Sequence, residues 1–271
     1  MLTETTTRTP RARHTRDTSL EASSEATRRA PWPRPRDLGS TTHQPPCLAG
    51  WRIWRRAFGA VRKADRHLER RGGLALKRCL DIAVSGAALL ALTPLLAVIA
   101  AMIKWHDGGP VLFWQTRVGQ RGRPFPFPKF RSMVPRAEQL KGQLQAHNDH
   151  GDSITFKMRQ DPRTTPIGRF LRRFSLDELP QLWCVLIGQM SLVGPRPPVP
   201  SEVARYRPEH RRRLEAKPGL TCIWQVSGRG DLSFDQQVRL DVEYIERRSI
   251  WLDLWLLLCT VPAVLSGRGA Y

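Results

Sequence analysis

Two carboxylates stand side by side at Asp177-Glu178, in a stretch otherwise dominated by cations. Arg169, Arg172 and Arg173 precede them, and Arg196 follows within Gly194-Pro195-Arg196-Pro197-Pro198. Acidic residues are the minority in this chain: 24 Asp and Glu face 44 Lys and Arg, a net charge of +20. The pair suits two chemistries. It can cap a helix and pair with arginine, or it can supply a carboxylate nucleophile to a phosphate whose charge the arginines neutralise. Ser175 and Glu178 fit a capping box, or Pro180 is the first helical residue. Either way Asp177 lies within a turn of a helix amino terminus, where the dipole and the arginines are expected to keep it ionised and to favour phosphate beside it. Neighbours on a helix point about 100° apart. A converging acid and base is therefore poorly served by this pair, and a nucleophile beside a metal ligand divides the work better.

Other polar residues need elements to hold them. Val111-Leu112-Phe113-Trp114 reads as a short strand, Gly119-Gln120-Arg121-Gly122-Arg123 as a hairpin turn, and residues 125–133 as a second strand that its prolines confine to a sheet edge. In an extended segment Lys129 and Arg131 point the same way, toward one anion or toward solvent along the edge. Residues 146–152, with His147, Asp149, His150 and Asp152, hold potential metal ligands but read better as a polar loop. The turn Asp161-Pro162-Arg163 and a short basic helix from Ile167 to Phe174 lead into the acidic pair.

The longest apolar run, residues 82–103, carries no charge. As a straight helix it would reach about 33 Å, enough for a bilayer core. Its apolar residues cover every face, which argues against a soluble core helix. Lys77 and Arg78 precede it and Lys104 follows, so flanking charge assigns no direction across the bilayer. Thr93-Pro94 falls in the middle, where proline removes a backbone hydrogen bond and the threonine hydroxyl can help satisfy a freed carbonyl. Equal flanks and a central break favour a re-entrant helical hairpin over a spanning helix. Asp81 is expected to pair with Lys77 or Arg78 at the entry.

Residues 1–50 are rich in Thr, Ser, Arg, Ala and Pro and poor in large apolar residues, the composition of a disordered basic tail. They contain no apolar core for a secretory signal. Residues 51–73 mix Trp51, Trp54 and Phe58 with eight Lys and Arg, as suits an anionic membrane surface. Five scattered cysteines without a Cys-x-x-Cys argue for a reducing compartment and against a zinc finger. Toward the carboxyl end, residues 234–248 read as an amphipathic helix with Val238, Val242 and Ile245 on one face. Residues 250–265 read as an interfacial or packed helix with Trp251 and Trp255 at headgroup depth. The fold class expected is α+β and helix-rich, a monotopic membrane protein with interfacial helices and a small β element.

From Lys77-Arg78-Cys79-Leu80-Asp81 onward the chain resembles a known family, the bacterial sugar transferases, or monotopic polyprenyl-phosphate glycosyl-1-phosphate transferases. The motifs that carry the likeness include the hairpin proline, Gly109-Pro110-Val111, Arg117-Val118-Gly119 and Lys129-Phe130-Arg131-Ser132-Met133. Asp161-Pro162-Arg163, Gly168-Arg169-Phe170-Leu171-Arg172 and residues 175–181 continue it. Residues 190–197, Lys217-Pro218-Gly219, residues 224–229 and Leu240-Asp241 complete it. The resemblance implies a catalytic domain over residues 74–271, with the membrane hairpin at about 77–104.

What the resemblance implies is a two-step transfer. The aspartate matching Asp177 attacks the β-phosphorus of a UDP-sugar and releases UMP. Polyprenyl (undecaprenyl) phosphate then takes the phospho-sugar from the aspartate, opening the synthesis of an exopolysaccharide, capsule, O-antigen or glycoconjugate. It implies Mg²⁺ with Glu178 as ligand, and phosphate contacts from Lys129, Arg172, Arg196 and, more weakly, Arg229; Arg131 joins these candidates through its strand spacing with Lys129. It implies a location at the bacterial inner membrane with the catalytic domain facing the cytoplasm, anionic lipids as a surface and downstream glycosyltransferases as partners. Several positions depart from the family pattern: Thr93 for serine, Pro128 for an aromatic residue, Cys222 for glycine and His106-Asp107-Gly108 for a serine-proline-glycine turn. Two other classes are open on charge and motifs: an inactive membrane-anchored scaffold of polysaccharide assembly, and a membrane-tethered nucleic-acid binder. No specific nucleic-acid motif is present, and the intact acidic pair speaks against the scaffold.

Overall fold

A computed structural model of the chain describes residues 73–144, 154–155, 158, 160–267 and 269. The expectations for the tail, for residues 51–72 and for the polar loop at 146–152 fall outside these. The described part is helix-rich with two small sheets. The first element, α1 (Leu74–Asp107), is a 34-residue helix that closes on Gly108, which adopts a left-handed conformation (φ 70°). Gly108 donates its N–H to the Lys104 carbonyl at 2.9 Å, and Lys104 adds its charge to the helix end. Pro94 lies inside the helix without ending it. The Thr93 hydroxyl donates to the Leu89 carbonyl at 2.8 Å. That corrects its expected role, because the carbonyl freed by Pro94 is that of Leu90, four residues back.

Strands β1 (Leu112–Val118) and β2 (Pro124–Phe130) pair antiparallel, Leu112 opposite Phe130 and Val118 opposite Pro124. The three prolines of β2 share one parity, at 124, 126 and 128. All three can therefore turn their N–H-less nitrogens away from the partner strand, which is why a proline-rich segment survives as an edge strand. The alternate set, Phe125 and Phe127, is buried.

Four short helices follow before the second sheet: α2 (Ala137–Leu144), α3 (Pro166–Arg173), the 3₁₀ turn Leu176–Gln181 and α4 (Leu182–Leu186). Thr165 caps α3, accepting from the Gly168 N–H at 2.9 Å. Gly168 is required there: a Cβ would fall 1.9 Å from the Ser132 carbonyl oxygen. Strand β3 (Ser191–Val193) runs parallel to β4 (Gly219–Thr221). Gly219 allows that approach, since a Cβ on it would meet the Gly194 nitrogen at 2.0 Å.

The helices α5 (Pro200–Val203), α6 (Ile223–Ser227), α7 (Phe234–Arg247) and α8 (Ile250–Ser266) complete the chain. Ser233 and Gln236 form a reciprocal capping box on α7, and Val238 and Val242 are buried as the apolar pattern requires. Leu252 and Leu256 of α8 enter the main core, which also takes Phe127, Val185, Met190 and Tyr244. A second core joins Ile99 and Ile103 of α1 to Phe130 and Leu171. One body thus holds both ends of α1.

The expected pairing of Asp81 is overturned. Its buried carboxylate accepts from the Ser191 hydroxyl at 3.1 Å and the Leu192 N–H at 2.9 Å. Lys77 instead pairs with Asp253 of α8, and Arg78 donates to the Val185 and Leu186 carbonyls. The flank residues serve the protein interior rather than each other.

Candidate active site

The acidic pair sits in the 3₁₀ turn between α3 and α4. The chain enters it through Ser175, a non-glycine residue in the left-handed region at φ 53°. The Ser175 side chain makes no capping bond, and Pro180 lies inside the turn rather than at a first helical position. Both capping expectations are corrected by this. A left-handed residue cannot present its hydroxyl as an N-cap does, because capping uses extended backbone. The Glu178 carboxylate turns away from the backbone to two cations. It accepts from Lys129 Nζ at 3.2 Å, from Arg196 Nη2 at 2.7 Å and from Arg196 Nη1 at 3.3 Å.

The two carboxylates differ electrostatically. Burial would raise Glu178, but Arg196 and Lys129 outweigh it and hold the carboxyl well below its usual range. Burial raises Asp177, and the adjacent Glu178 charge raises it further; Lys129, Arg172 and Arg196 recover only part. Asp177 is 6% exposed. At Asp177 desolvation outweighs the cations, so its carboxyl lies above the ordinary aspartate range, and the turn is too short and tight to act as a long helix amino terminus. The result is one firmly ionised carboxylate beside a more basic one.

Lys129 reaches the pair because it shares a strand face with Phe125 and Phe127, and its Nζ lies 5.4 Å from the Phe127 ring centre. Its own basicity is lowered by burial and partly restored by Glu178. Arg172, at the end of α3, donates to Thr164 Oγ1 at 3.1 Å, and its charge acts on Asp177. Arg196 follows β3, and Glu178 holds its guanidinium firmly protonated against burial. Arg229 also belongs to this neighbourhood: its charge is felt by the Glu178–Arg196 pair, and its Nη1 is buried without a partner among the described residues.

Arg131 does not join them. Its guanidinium forks onto the Asp107 carboxylate and donates to the Pro110 carbonyl at 2.7 Å. The strand alternation that would align it with Lys129 ends at Phe130, so Arg131 fastens the carboxyl end of α1 instead. A cation that charge counting missed takes a place here. Arg117 donates to the Pro197 carbonyl at 2.9 Å and stacks 5.2 Å from the Phe127 ring centre. Burial and the nearby Arg196 charge lower it to about 10. The signal was in the hairpin register, which places Arg117 opposite Phe125 and so on the face of Phe127 and Lys129.

Among the described residues no three His, Cys, Asp or Glu side chains converge as a self-sufficient metal cage. Glu178 offers a firmly ionised hard oxygen donor. That fits Mg²⁺, which commonly takes one or two carboxylates and fills its shell with water and substrate phosphate oxygens. The arrangement as a whole has a buried carboxylate, Asp177, that feels the charges of Lys129, Arg172 and Arg196, the ingredients of nucleophilic displacement at a polyanionic phosphorus.

The family profile described as bacterial sugar transferase matches residues 73–267. A galactosyl transferase, CpsE, of Streptococcus agalactiae is 48% identical over 199 residues, covering 73% of this chain and 44% of the relative. An undecaprenyl-phosphate galactose phosphotransferase of Salmonella typhimurium is 42% identical over 212 residues, 77% of this chain and 44% of the relative. The exopolysaccharide production protein ExoY of Rhizobium meliloti is 39% identical over 203 residues, 74% of this chain and 89% of the relative. The chain thus spans under half the length of the first two and nearly all of the third. The match begins where the described structure begins and includes the acidic turn, the cationic ring and the long apolar helix, and on these grounds the chain belongs to the bacterial sugar transferase family.

Proposed function

We propose that this chain transfers a sugar-1-phosphate from a UDP-sugar to polyprenyl phosphate at the cytoplasmic face of the bacterial inner membrane, releasing UMP. The observation that carries this reading is the division of the pair: Glu178 neutralised by Lys129 and Arg196, Asp177 buried and made more basic. The relative named as an undecaprenyl-phosphate galactose phosphotransferase supports the class of acceptor and reaction. The product would open the assembly of a surface polysaccharide.

In the first step an Asp177 carboxylate oxygen forms a bond to the β-phosphorus, the bridging phosphoanhydride bond breaks, and the electron pair leaves with UMP. Asp177 then carries the phospho-sugar as an acyl phosphate. In the second, a phosphate oxygen of the lipid acceptor attacks the same phosphorus and Asp177 leaves as carboxylate. One phosphoanhydride replaces another, so the protein must supply position and charge rather than energy. Lys129, Arg172 and Arg196 hold the phosphate oxygens, with Arg229 at the margin. Glu178 keeps two of these cations aligned and is the residue that would hold Mg²⁺, whose chemistry there is charge neutralisation on the diphosphate.

The same helix brings the acceptor's membrane to this site. Lys77, Arg78 and Asp81 fasten the amino end of α1, and Asp107 with Arg131 fastens the carboxyl end to the same body. That supports a re-entrant path turned near Pro94, which would keep both flanks on one side of the bilayer. Cysteine accessibility at the two flanks of residues 82–103 in intact cells tests it; labelling from opposite sides overturns the hairpin.

The reaction is tested with Asp177→Asn in purified full-length protein, assayed for UMP release from a panel of UDP-sugars with polyprenyl phosphate. We expect turnover to fall by about 10⁴-fold or more, the scale of losing a covalent nucleophile. Retained turnover sinks the mechanism.

A further inference from the structure

We infer that Arg78 and Asp81, at the base of α1, are positioning residues for the Glu178–Arg196 pair, gripping the two chain segments that present its two members. The inference rests on the function proposed above, but its structural half can be read without activity. The first grip is on the acidic side. The turn Leu176–Gln181 runs directly into α4, a helix of only five residues. Such a helix has little stability of its own and leaves its last carbonyls without helical partners. Arg78 braces them: Nη2 donates to the Leu186 carbonyl at 2.7 Å, and Nη1 to the Val185 carbonyl at 2.6 Å, which also accepts from the Gly188 N–H at 3.0 Å. Gly188 makes room for that fork. It adopts φ +89°, and a Cβ on it would stand 3.1 Å from Arg78 Nη2.

The second grip is on the arginine side. Asp81 Oδ1 accepts from the Ser191 hydroxyl and the Leu192 N–H, pinning β3. Lys77 adds a bond to the Val193 carbonyl at 3.0 Å. Only Gly194 and Pro195 separate β3 from Arg196. One helical turn of α1 therefore carries both jaws, Arg78 toward Glu178 and Asp81 toward Arg196. The distance between the two partners, 2.7 Å at its shortest, is fixed through the helix that enters the membrane. In this role α1 is a scaffold as well as an anchor.

The test uses the full chain in lipid nanodiscs, with Arg78→Gln, Arg78→Lys and Asp81→Asn compared with wild type. Two quantities are measured: steady-state kcat and KM for the UDP-sugar that the panel identifies, and amide hydrogen exchange over residues 176–193 against α7. In Arg78→Gln and Asp81→Asn we expect kcat to fall roughly tenfold to hundredfold, the cost of a misplacement near one ångström, with KM changed by less than about threefold. Exchange should quicken over residues 176–193 and stay unchanged in α7. Arg78→Lys, which keeps the charge and loses the fork, should recover part of both. A merely structural role would slow turnover only in proportion to lost folded protein and would quicken exchange in α7 equally; that pattern overturns the inference. Should Arg78→Gln not fold, Arg78→Lys decides, since kcat and exchange both equal to wild type would overturn it as well. Should wild type release UMP from no UDP-sugar, the function above fails, while exchange over residues 176–193 still upholds or overturns the grip.

Discussion

At Asp177 the same burial serves catalysis and costs stability. A carboxyl raised by desolvation and by Glu178 is a stronger base once ionised, but its charge is poorly solvated in the folded state. The sign follows from linkage. A carboxyl whose folded pKa lies above its unfolded value, near 3.9, contributes its share of stability below that value and loses it as pH rises through the folded pKa. At neutral pH the folded protein therefore carries a charge that burial and Glu178 penalise more than the nearby cations repay. Asp177→Asn should raise stability there by about 1 kcal/mol, as functional-site relief commonly does, and the gain should vanish near pH 4 and below. Thermal midpoints of the two proteins across pH, in one lipid environment, check this; an equal or lower midpoint for the variant at pH 7 contradicts it. Activity has the complementary dependence. UMP release needs ionised Asp177, so its acid limb should lie above the ordinary aspartate range. Glu178→Gln removes the nearest like charge and should move that limb to lower pH. The same change frees Lys129 and Arg196 from their acceptor, so the rate on the plateau should fall by about 10²–10³-fold. A limb that stays in place in Glu178→Gln would mean that burial alone sets Asp177.

Among the elements, α7 carries a buried ion pair. Asp241 is paired with Arg213, both almost fully buried, and Arg213 also donates to the Tyr206 hydroxyl at 3.1 Å. Burial pushes the Asp241 carboxyl up to about 6 in spite of that partner. Asp241→Ala leaves the Arg213 charge buried with only Tyr206, and should cost about 3–5 kcal/mol. Asp241→Leu with Arg213→Met should cost much less, because no charge is stranded; equal losses in urea unfolding would refute the pair's role. Leu240-Asp241 was legible in the sequence as a motif, but its partner was not, because 28 residues separate the two and no periodicity links them. The same limit divides the rest. The hairpin, the edge placement of its prolines and the apolar face of α7 could all be read from alternation and period, which are local properties. Glu178, Lys129 and Arg196 could be named as candidates from type and resemblance. Their mutual contact needed the register Leu112 to Phe130 and the path of β3. Where reading failed, a local rule met a non-local one. Arg131 kept the parity of Lys129 on paper, yet the strand stops one residue earlier. Ser175 and Glu178 had the capping spacing, yet the left-handed backbone at Ser175 turns both to other uses. Asp81 lay beside two cations in sequence, but buried β3 amides outcompeted them.

Among the described residues, large apolar side chains stay exposed on two helices that share one core, and this predicts how the protein would meet a bilayer. On α1 these include Leu90, Val98 and Trp105; on α8 they are Trp251, Leu254, Leu258, Val261 and Leu265, spaced along one stripe. The 17 residues of α8 reach about 25 Å, short of the roughly 30 Å hydrocarbon core. Its other face is committed to the protein, with Leu252 and Leu256 fully buried and Asp253 tied to Lys77 and Tyr244. A helix held on one face, apolar on the other and too short to span is predicted to lie in the interface plane, with its stripe toward the acyl chains. In that placement Trp251, 69% exposed, would lie at headgroup depth. In vesicles of mixed zwitterionic and anionic lipid, lipids brominated near the headgroup should quench Trp251 more than lipids brominated near the chain ends. The contribution of Trp251 is taken as the difference from Trp251→Phe. Leu258→Glu should reduce that quenching while α1 keeps the protein in the membrane, so the protein should still sediment with the vesicles. Equal quenching at both depths, or none, would mean that the stripe of α8 faces something other than lipid.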